Sequence, residues 1–219
     1  MTTWVVVVAA GRATRFGALK QFERLAGRPV VDWSTAAARQ AADGVVLVVP
    51  PGAGAGDGVD GAPPTQVDVV VEGAATRSGS VRAGLAAVPG EATVIVVHDA
   101  ARPLARVEHF HAVVAAVRAG ADGAVCAVPV SDTIKRVAHG AVVVTVDRAD
   151  LWAVQTPQAF RAEVLRRAHH CGADATDDAA LVEAAGGRVV VVAGDPRNIK
   201  LTDRTDLAVA EALLTTLRP

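Results

Sequence analysis

Short, almost purely apolar stretches recur along the chain, and between them lie segments whose apolar positions have helical spacing. Trp4–Ala10, Val45–Val49, Val67–Val71, Thr93–Val97, Ala124–Val128 and Arg188–Val192 are rich in β-branched residues and nearly uninterrupted. Such runs predict strands covered on both faces, as in a parallel sheet. Pro29 predicts the opening of a helix that runs through Ala41, and Val107–Ala119 predicts another. Val81–Val88 and Thr176–Ala185 read as helical, as does Asp203–Leu217 with Leu207, Ala210, Leu214 and Leu217 at helical spacing. This alternation predicts an α/β fold with a doubly wound, mostly parallel twisted sheet and helices on both faces.

Two segments break the rhythm. Pro50–Pro64 is rich in Gly, Ala and Pro and predicts a surface loop with little chemistry in it. In 133–148, Ile134–Val137 and Ala141–Val146 flank a turn at His139-Gly140, which predicts a projecting β-hairpin. Its Val142-Val143-Val144 stretch then requires a covering surface. A dimer arm and a hairpin folded back on its own domain both meet that requirement.

Composition narrows the class. With 219 residues, 51% of them hydrophobic and only 3% aromatic, the chain predicts one sizeable domain, 1–219, cored by small branched side chains. A formal net charge of −1 argues against nucleic-acid binding through a general positive field. Cys126 and Cys171 form no C-x-x-C pair, and Cys126 sits in an apolar run as a small buried hydrophobe would. No apolar run is long enough to cross a bilayer, and no cationic stretch precedes the first strand. A reduced, cytoplasmic protein away from membranes is the expectation.

Candidate chemistry starts where the first strand ends. Ala9, Ala10 and Gly11 have no bulk, so a base or a phosphate can approach the backbone closely. Arg15 and Lys20 add two fixed positive charges, which suits a polyphosphate. Ala13 stands where a dinucleotide-binding G-x-G-x-x-G needs glycine, and Gly17 is not followed by the Lys of a P-loop. A nicotinamide-dependent oxidoreductase is therefore disfavoured. The strand Thr93–Val97 runs into His98-Asp99-Ala100-Ala101-Arg102-Pro103. A carboxylate at that place, facing the first loop, suits Mg²⁺ bound to phosphates, although Asp99 is equally able to cap a helix. Arg102 either holds this loop together or contacts ligand, and His98 has no nucleophile near it. Gly73–Ser80 offers small residues and hydroxyls to a base, with helix capping by Ser78 or Ser80 as the plain alternative.

Later motifs add more polar groups: Asp132–Lys135, Asp147-Arg148, Thr156-Pro157-Gln158, Thr176-Asp177-Asp178 and Asn198-Ile199-Lys200. Alone each is mundane, with Thr176 a good helix cap and Pro157 a turn residue. Together they supply hydroxyls, carboxylates and cations for a second, phosphorylated substrate. The remaining histidines have no metal-site spacing, and His169-His170 read as exposed near a helix end.

In this order, and spanning nearly the whole chain, these motifs resemble the 2-C-methyl-D-erythritol 4-phosphate cytidylyltransferases of the non-mevalonate isoprenoid pathway. The resemblance implies a Rossmann-like nucleotidyltransferase fold, CTP as co-substrate, Mg²⁺, and release of pyrophosphate. It implies that Arg15 and Lys20 act on the triphosphate and that Asp99 holds the metal. Ala9, Ala10, Gly11, Ala74, Ala75, Ser80 and Ala100 would bind the nucleotide. Thr133, Arg148, Thr176, Lys200 and Arg102 would position the sugar-alcohol phosphate. Thr133 and Arg148 would reach a neighbouring subunit's site on the 133–148 arm, which implies a homodimer. The chain departs from the family at Ala13, where glycine is usual, and at Leu19, where proline commonly precedes the lysine. Ribitol 5-phosphate as acceptor is the nearest rival reading, and a non-catalytic nucleotide sensor is the rival from another class.

Overall fold

In the computed structural model, which describes residues 1–11, 23–52 and 66–217, the apolar runs are strands, buried on both sides at the centre of the sheet and only partly buried at Val69–Glu72 and Val189–Ala193. The first half contains β1 (Thr3–Val8), the short pair β2 (Arg24–Leu25) and β3 (Arg28–Pro29), α1 (Val30–Ala41), β4 (Gly44–Val49) and β5 (Val69–Glu72). Then come α2 (Arg77–Ala87), β6 (Val94–Asp99), α3 (Val107–Arg118), β7 (Gly123–Pro129), β8 (Ile134–Ala138) and β9 (Ala141–Val146). The chain continues through β10 (Trp152–Arg161), α4 (Ala162–His170), α5 (Asp178–Ala184), β11 (Val189–Ala193) and α6 (Arg204–Leu217).

Seven strands form the main sheet in the order β11-β7-β10-β6-β1-β4-β5. All ladders are parallel except those of β10, which runs antiparallel to both β6 and β7. Side chains alternate across the sheet: Val5, Val7, Leu47 and Val96 pack with α1 and α3, while Val6, Val46 and Ile95 pack with α2, α4 and α5. Each fully buried Val or Leu stabilises the fold by roughly 1.5–3 kcal/mol relative to exposure, so these stacked strands set the frame. A smaller cluster of Leu25, Val30, Leu104, Leu201, Ala210 and Leu214 anchors α6.

Sequence pattern and structure part at four places. β10 has no apolar run to announce it, yet it is a central strand. Pro157 lies inside it rather than in a turn, at the register shift between Val154 and Gln158 where a missing N–H is tolerated. The helix α4 is an addition to the pattern, and its His169 is buried rather than exposed. The helix α2 begins at Arg77 and is capped by Thr76, whose Oγ1 accepts from the Gly79 N–H at 3.0 Å; neither Ser78 nor Ser80 caps it. Asp177, not Thr176, caps α5, accepting from the Ala180 N–H at 3.0 Å.

β8 and β9 form their own antiparallel ladder, from Ile134 opposite Val146 to Ala138 opposite Ala141. His139 and Gly140 close it with φ of 49° and 79°, the left-handed pair that a tight hairpin turn needs. Val137, Val142, Val143 and Val144 on this hairpin are exposed.

Close contact of α2 with the sheet depends on Gly84, where a Cβ would fall 2.4 Å from Val6 Cγ1 and 2.9 Å from Val48 Cγ2. Gly84→Leu is expected to cost roughly 1–3 kcal/mol or more through overpacking. Urea unfolding measures it, and an unchanged midpoint would refute this account of the α2 contact.

Candidate active site

The strand order reverses at β1, whose neighbours β6 and β4 lead to opposite halves of the sheet. Open α/β sheets bind ligands beyond the strand ends at such a point. A crevice of about 440 Å³ lies there. Ala9, Ala10, Gly11, Ala74, Ala75, Ser80, Asp99, Ala100 and Lys200 all line it, so the sequence-derived nucleotide residues and two charged candidates converge on one cavity. Val8, Pro51, Thr76, Arg77 and Ala101 complete its wall. Pro51 belongs to the segment expected to carry little chemistry, of which 53–65 lie outside the described residues. Arg15 and Lys20 also lie outside the described residues.

Small residues make the crevice. At Gly73, which follows β5, a Cβ would sit 2.4 Å from the Ala10 Cβ and 2.7 Å from Ser80 Oγ. Only glycine there lets the β1 and β5 ends approach this closely. Ser80 then shapes the following turn: its hydroxyl accepts from the Ala74 N–H at 3.0 Å and donates to the Thr76 carbonyl at 2.9 Å.

Asp99, the last residue of β6, supplies the charge. Its Oδ1 accepts from Arg77 Nε at 3.2 Å and its Oδ2 from Lys200 Nζ at 2.7 Å. Burial alone would raise the Asp99 pKa, but the adjacent Arg77 and Lys200 charges outweigh it and hold the carboxyl well below its usual range. Asp99 is thus ionised at neutral pH. Arg77 has a second partner, donating from Nη1 to Asp178 Oδ2 at 2.9 Å. Asp178 Oδ1 in turn lies 3.0 Å from His169 Nε2.

Among the described residues no three His, Cys, Asp or Glu side chains converge as a metal cage. Among the described residues, the crevice wall instead presents the single carboxylate Asp99. Mg²⁺ typically takes one or two carboxylates, waters and substrate phosphates, so this donor set fits a metal that arrives with a polyphosphate.

Several residues of the later motifs are bonded to one another and to the crevice's strands. The Thr156 hydroxyl accepts from the Asp99 N–H at 3.0 Å and lies 3.1 Å from His98 Nδ1. Gln158 donates to Asp177 Oδ2 at 2.9 Å, and Asn198 donates from Nδ2 to the Thr156 carbonyl at 2.9 Å. Arg102 donates to the Asn198 carbonyl at 2.7 Å and is not among the residues that line the crevice. Thr133, Arg148 and Thr176 are exposed and lie outside the crevice wall. Arg148 donates to the Ser131 carbonyl at the base of the hairpin. His98 is fully buried against Phe110 with ring centroids 5.0 Å apart, which fits a structural role. Cys126 is buried too, and burial pushes its thiol up to about 12.

Arg77 is the site residue that pattern reading passed over. A signal was present: it is a cation at the first position of a helix, where the helix dipole disfavours positive charge, so strong local partners had to hold it.

A mostly parallel sheet with a phosphate-suited crevice at its switch point places the molecule among α/β nucleotidyltransferase-like proteins. The family profile described as IspD, 2-C-methyl-D-erythritol 4-phosphate cytidylyltransferase, matches residues 3–216, and the chain belongs to that family. It is 46% identical to the 2-C-methyl-D-erythritol 4-phosphate cytidylyltransferase of Streptomyces coelicolor, across 97% of this chain and 84% of that protein. It is 44% identical to the protein of the same name from Nocardia farcinica, across 95% and 92%. The crystal structure of 2-C-methyl-D-erythritol 4-phosphate cytidylyltransferase from Thermus thermophilus superposes with a TM-score of 0.82 at 35% identity, covering 98% of this chain and all of that one (100%).

Burial holds His98 neutral by pushing it down to about 3 in the folded protein. The unfolded chain takes up that proton below about pH 6.5. The stability contribution is therefore whole above about pH 6.5 and is lost as pH falls toward 3, by at most about 1.4 kcal/mol per pH unit. Urea unfolding between pH 7 and 4 is expected to show this slope, and His98→Gln is expected to flatten it.

Proposed function

We propose that this chain transfers the cytidylyl group of CTP to 2-C-methyl-D-erythritol 4-phosphate, forming 4-diphosphocytidyl-2-C-methyl-D-erythritol and pyrophosphate. The observation that carries the reading is the convergence of the family's nucleotide residues with Asp99 and Lys200 on one crevice. An acceptor phosphate oxygen attacks the α-phosphorus of CTP, and the bond from that phosphorus to the bridging oxygen breaks. The acceptor is already anionic, so no general base is required. The difficulty is bringing two anions together and stabilising charge on the departing pyrophosphate.

Ala74, Ala75 and Ser80 shape the base pocket, and Ala9, Ala10, Gly11 and Ala100 admit the nucleotide against bare backbone. Arg15 and Lys20 bind the triphosphate and the charge that develops on it. Asp99 would hold Mg²⁺, which when bound supplies charge neutralisation between the phosphates. Lys200 sits at the crevice wall on Asp99 and meets the acceptor phosphate. Thr133, Arg148, Thr176 and Arg102 position the acceptor. Because Thr133 and Arg148 are on the hairpin arm, they serve the site of a second copy, and the exposed Val142–Val144 stretch suits a homodimer contact. We read 1–219 as a single domain with 133–148 as that arm. The free cysteines suit a reducing, cytoplasmic setting, and among the described residues no helix is long and apolar enough to cross a membrane.

Pyrophosphate release from CTP and Mg²⁺ is the test, with methylerythritol 4-phosphate and ribitol 5-phosphate as parallel acceptors. Release with the first alone is expected. Release with ribitol phosphate alone would reassign the acceptor, and CTP binding without turnover would indicate a sensor. Lys20→Ala and Lys200→Ala are each expected to lower turnover by about a hundredfold or more with the fold intact. Near-normal turnover would remove either residue from the mechanism. Mixing inactive Arg15→Ala and Arg148→Ala chains is expected to restore one working site per mixed dimer. Activity that stays absent on mixing would count against a shared site.

A further inference from the structure

We propose that Arg77, clamped by the buried Asp178–His169 pair, is a positioning residue that aligns the Asp99 carboxylate for the metal-bound triphosphate. This rests on the nucleotidyl-transfer reading above. One guanidinium spans two carboxylates, reaching Asp99 with Nε and Asp178 with Nη1 at 3.2 and 2.9 Å. A planar fork is suited to such a bridge, whereas a lysine ammonium offers one point of charge.

The far end of the bridge is rigid. The Asp178 side chain is 0% exposed, and the His169 side chain holding its other oxygen is 3% exposed. A buried carboxylate is a poor way to stabilise a core compared with apolar packing. The adjacent Asp177 already caps α5, so that task does not explain Asp178. What the pair does accomplish is to fix the guanidinium in one orientation beside the crevice.

The near end needs that constraint. Thr156 holds the Asp99 backbone N–H, which leaves the carboxylate's orientation to Arg77 and Lys200. Lys200 is the partner that turns toward the acceptor phosphate in the proposed reaction. Arg77 then remains as the group that keeps the carboxylate in place.

Arg77→Ala alone would leave Asp178 buried without its cation, so it reports stability as well as function. The double variant Arg77→Gln/Asp178→Asn removes one positive and one negative charge together and keeps the net charge beside Asp99. It is expected to melt within a few degrees of the wild type. Its kcat is expected to fall, its Kd for CTP in Mg²⁺ to rise, and its half-saturating Mg²⁺ concentration to shift, each by roughly 10–100-fold. KM for the acceptor is expected to move less than about twofold, a split that general loosening would not produce. Arg77→Lys is expected to recover only part of the loss, because it reaches one carboxylate at a time. A folded double variant with wild-type kcat, CTP affinity and Mg²⁺ dependence would overturn the proposal and leave the network as a fold brace. If the double variant does not fold, Arg77→Lys decides by the same criteria. If the wild type binds CTP but transfers nothing, the reaction assignment fails. Calorimetric CTP affinity then still separates a positioning role, seen as weaker binding in the variant, from none, seen as equal binding.

Discussion

A carboxylate delivered into the interior by a buried strand is the constraint around which this molecule is arranged. β6 lies in the middle of the sheet with helices on both faces, and its last residue is Asp99. An anion there requires compensating charge. One cation comes from the start of α2 and the other from the loop before α6, so Arg77 and Lys200 draw two distant parts of the chain onto the crevice. Arg77 brings Asp178 with it, which ties α5 to the same wall. Charge balance in a low-dielectric place thereby fixes the outline of the site.

Beneath this charged wall runs a polar lattice that holds the loops in register. Thr156, Gln158 and Asn198 are buried and bonded to backbone or to one another's neighbours. Arg102 closes the lattice from above through the Asn198 carbonyl. Buried polar groups of this kind are costly when unpaired and confer a unique geometry when paired. The antiparallel β10 is what carries Thr156 and Gln158 into that position, and its register shift accommodates Pro157.

Small side chains do the complementary work. The meeting of Ala10 with Gly73 leaves space at the ends of β1 and β5, and Gly84 lets α2 lie close on the sheet. The open crevice and close helix packing thus arise from the same absence of bulk. The hairpin is the opposite case, an extended ladder with exposed valines that forms a sheet of its own.

Six strands, the hairpin and five of the helices were legible along the chain because burial on both faces, turn chemistry and amphipathic spacing each leave a local pattern. The crevice wall was legible for a related reason, since runs such as Ala9-Ala10-Gly11 mark places where backbone can be approached closely. β10 was not legible: its burial is satisfied by Gln155, Thr156 and Gln158 pairing with residues far away, so no apolar run was needed. His169 was misleading for the same reason, since a polar residue reads as exposed until its partner is known. Local sequence determined six of the strands, the hairpin turn and five of the helices, because those choices depend on residues a few positions apart. Only the tertiary structure decided that Arg77, Asp99, Asp178 and Lys200 share one network, because ion pairs between residues some twenty to a hundred positions apart exist only after the sheet has brought them together.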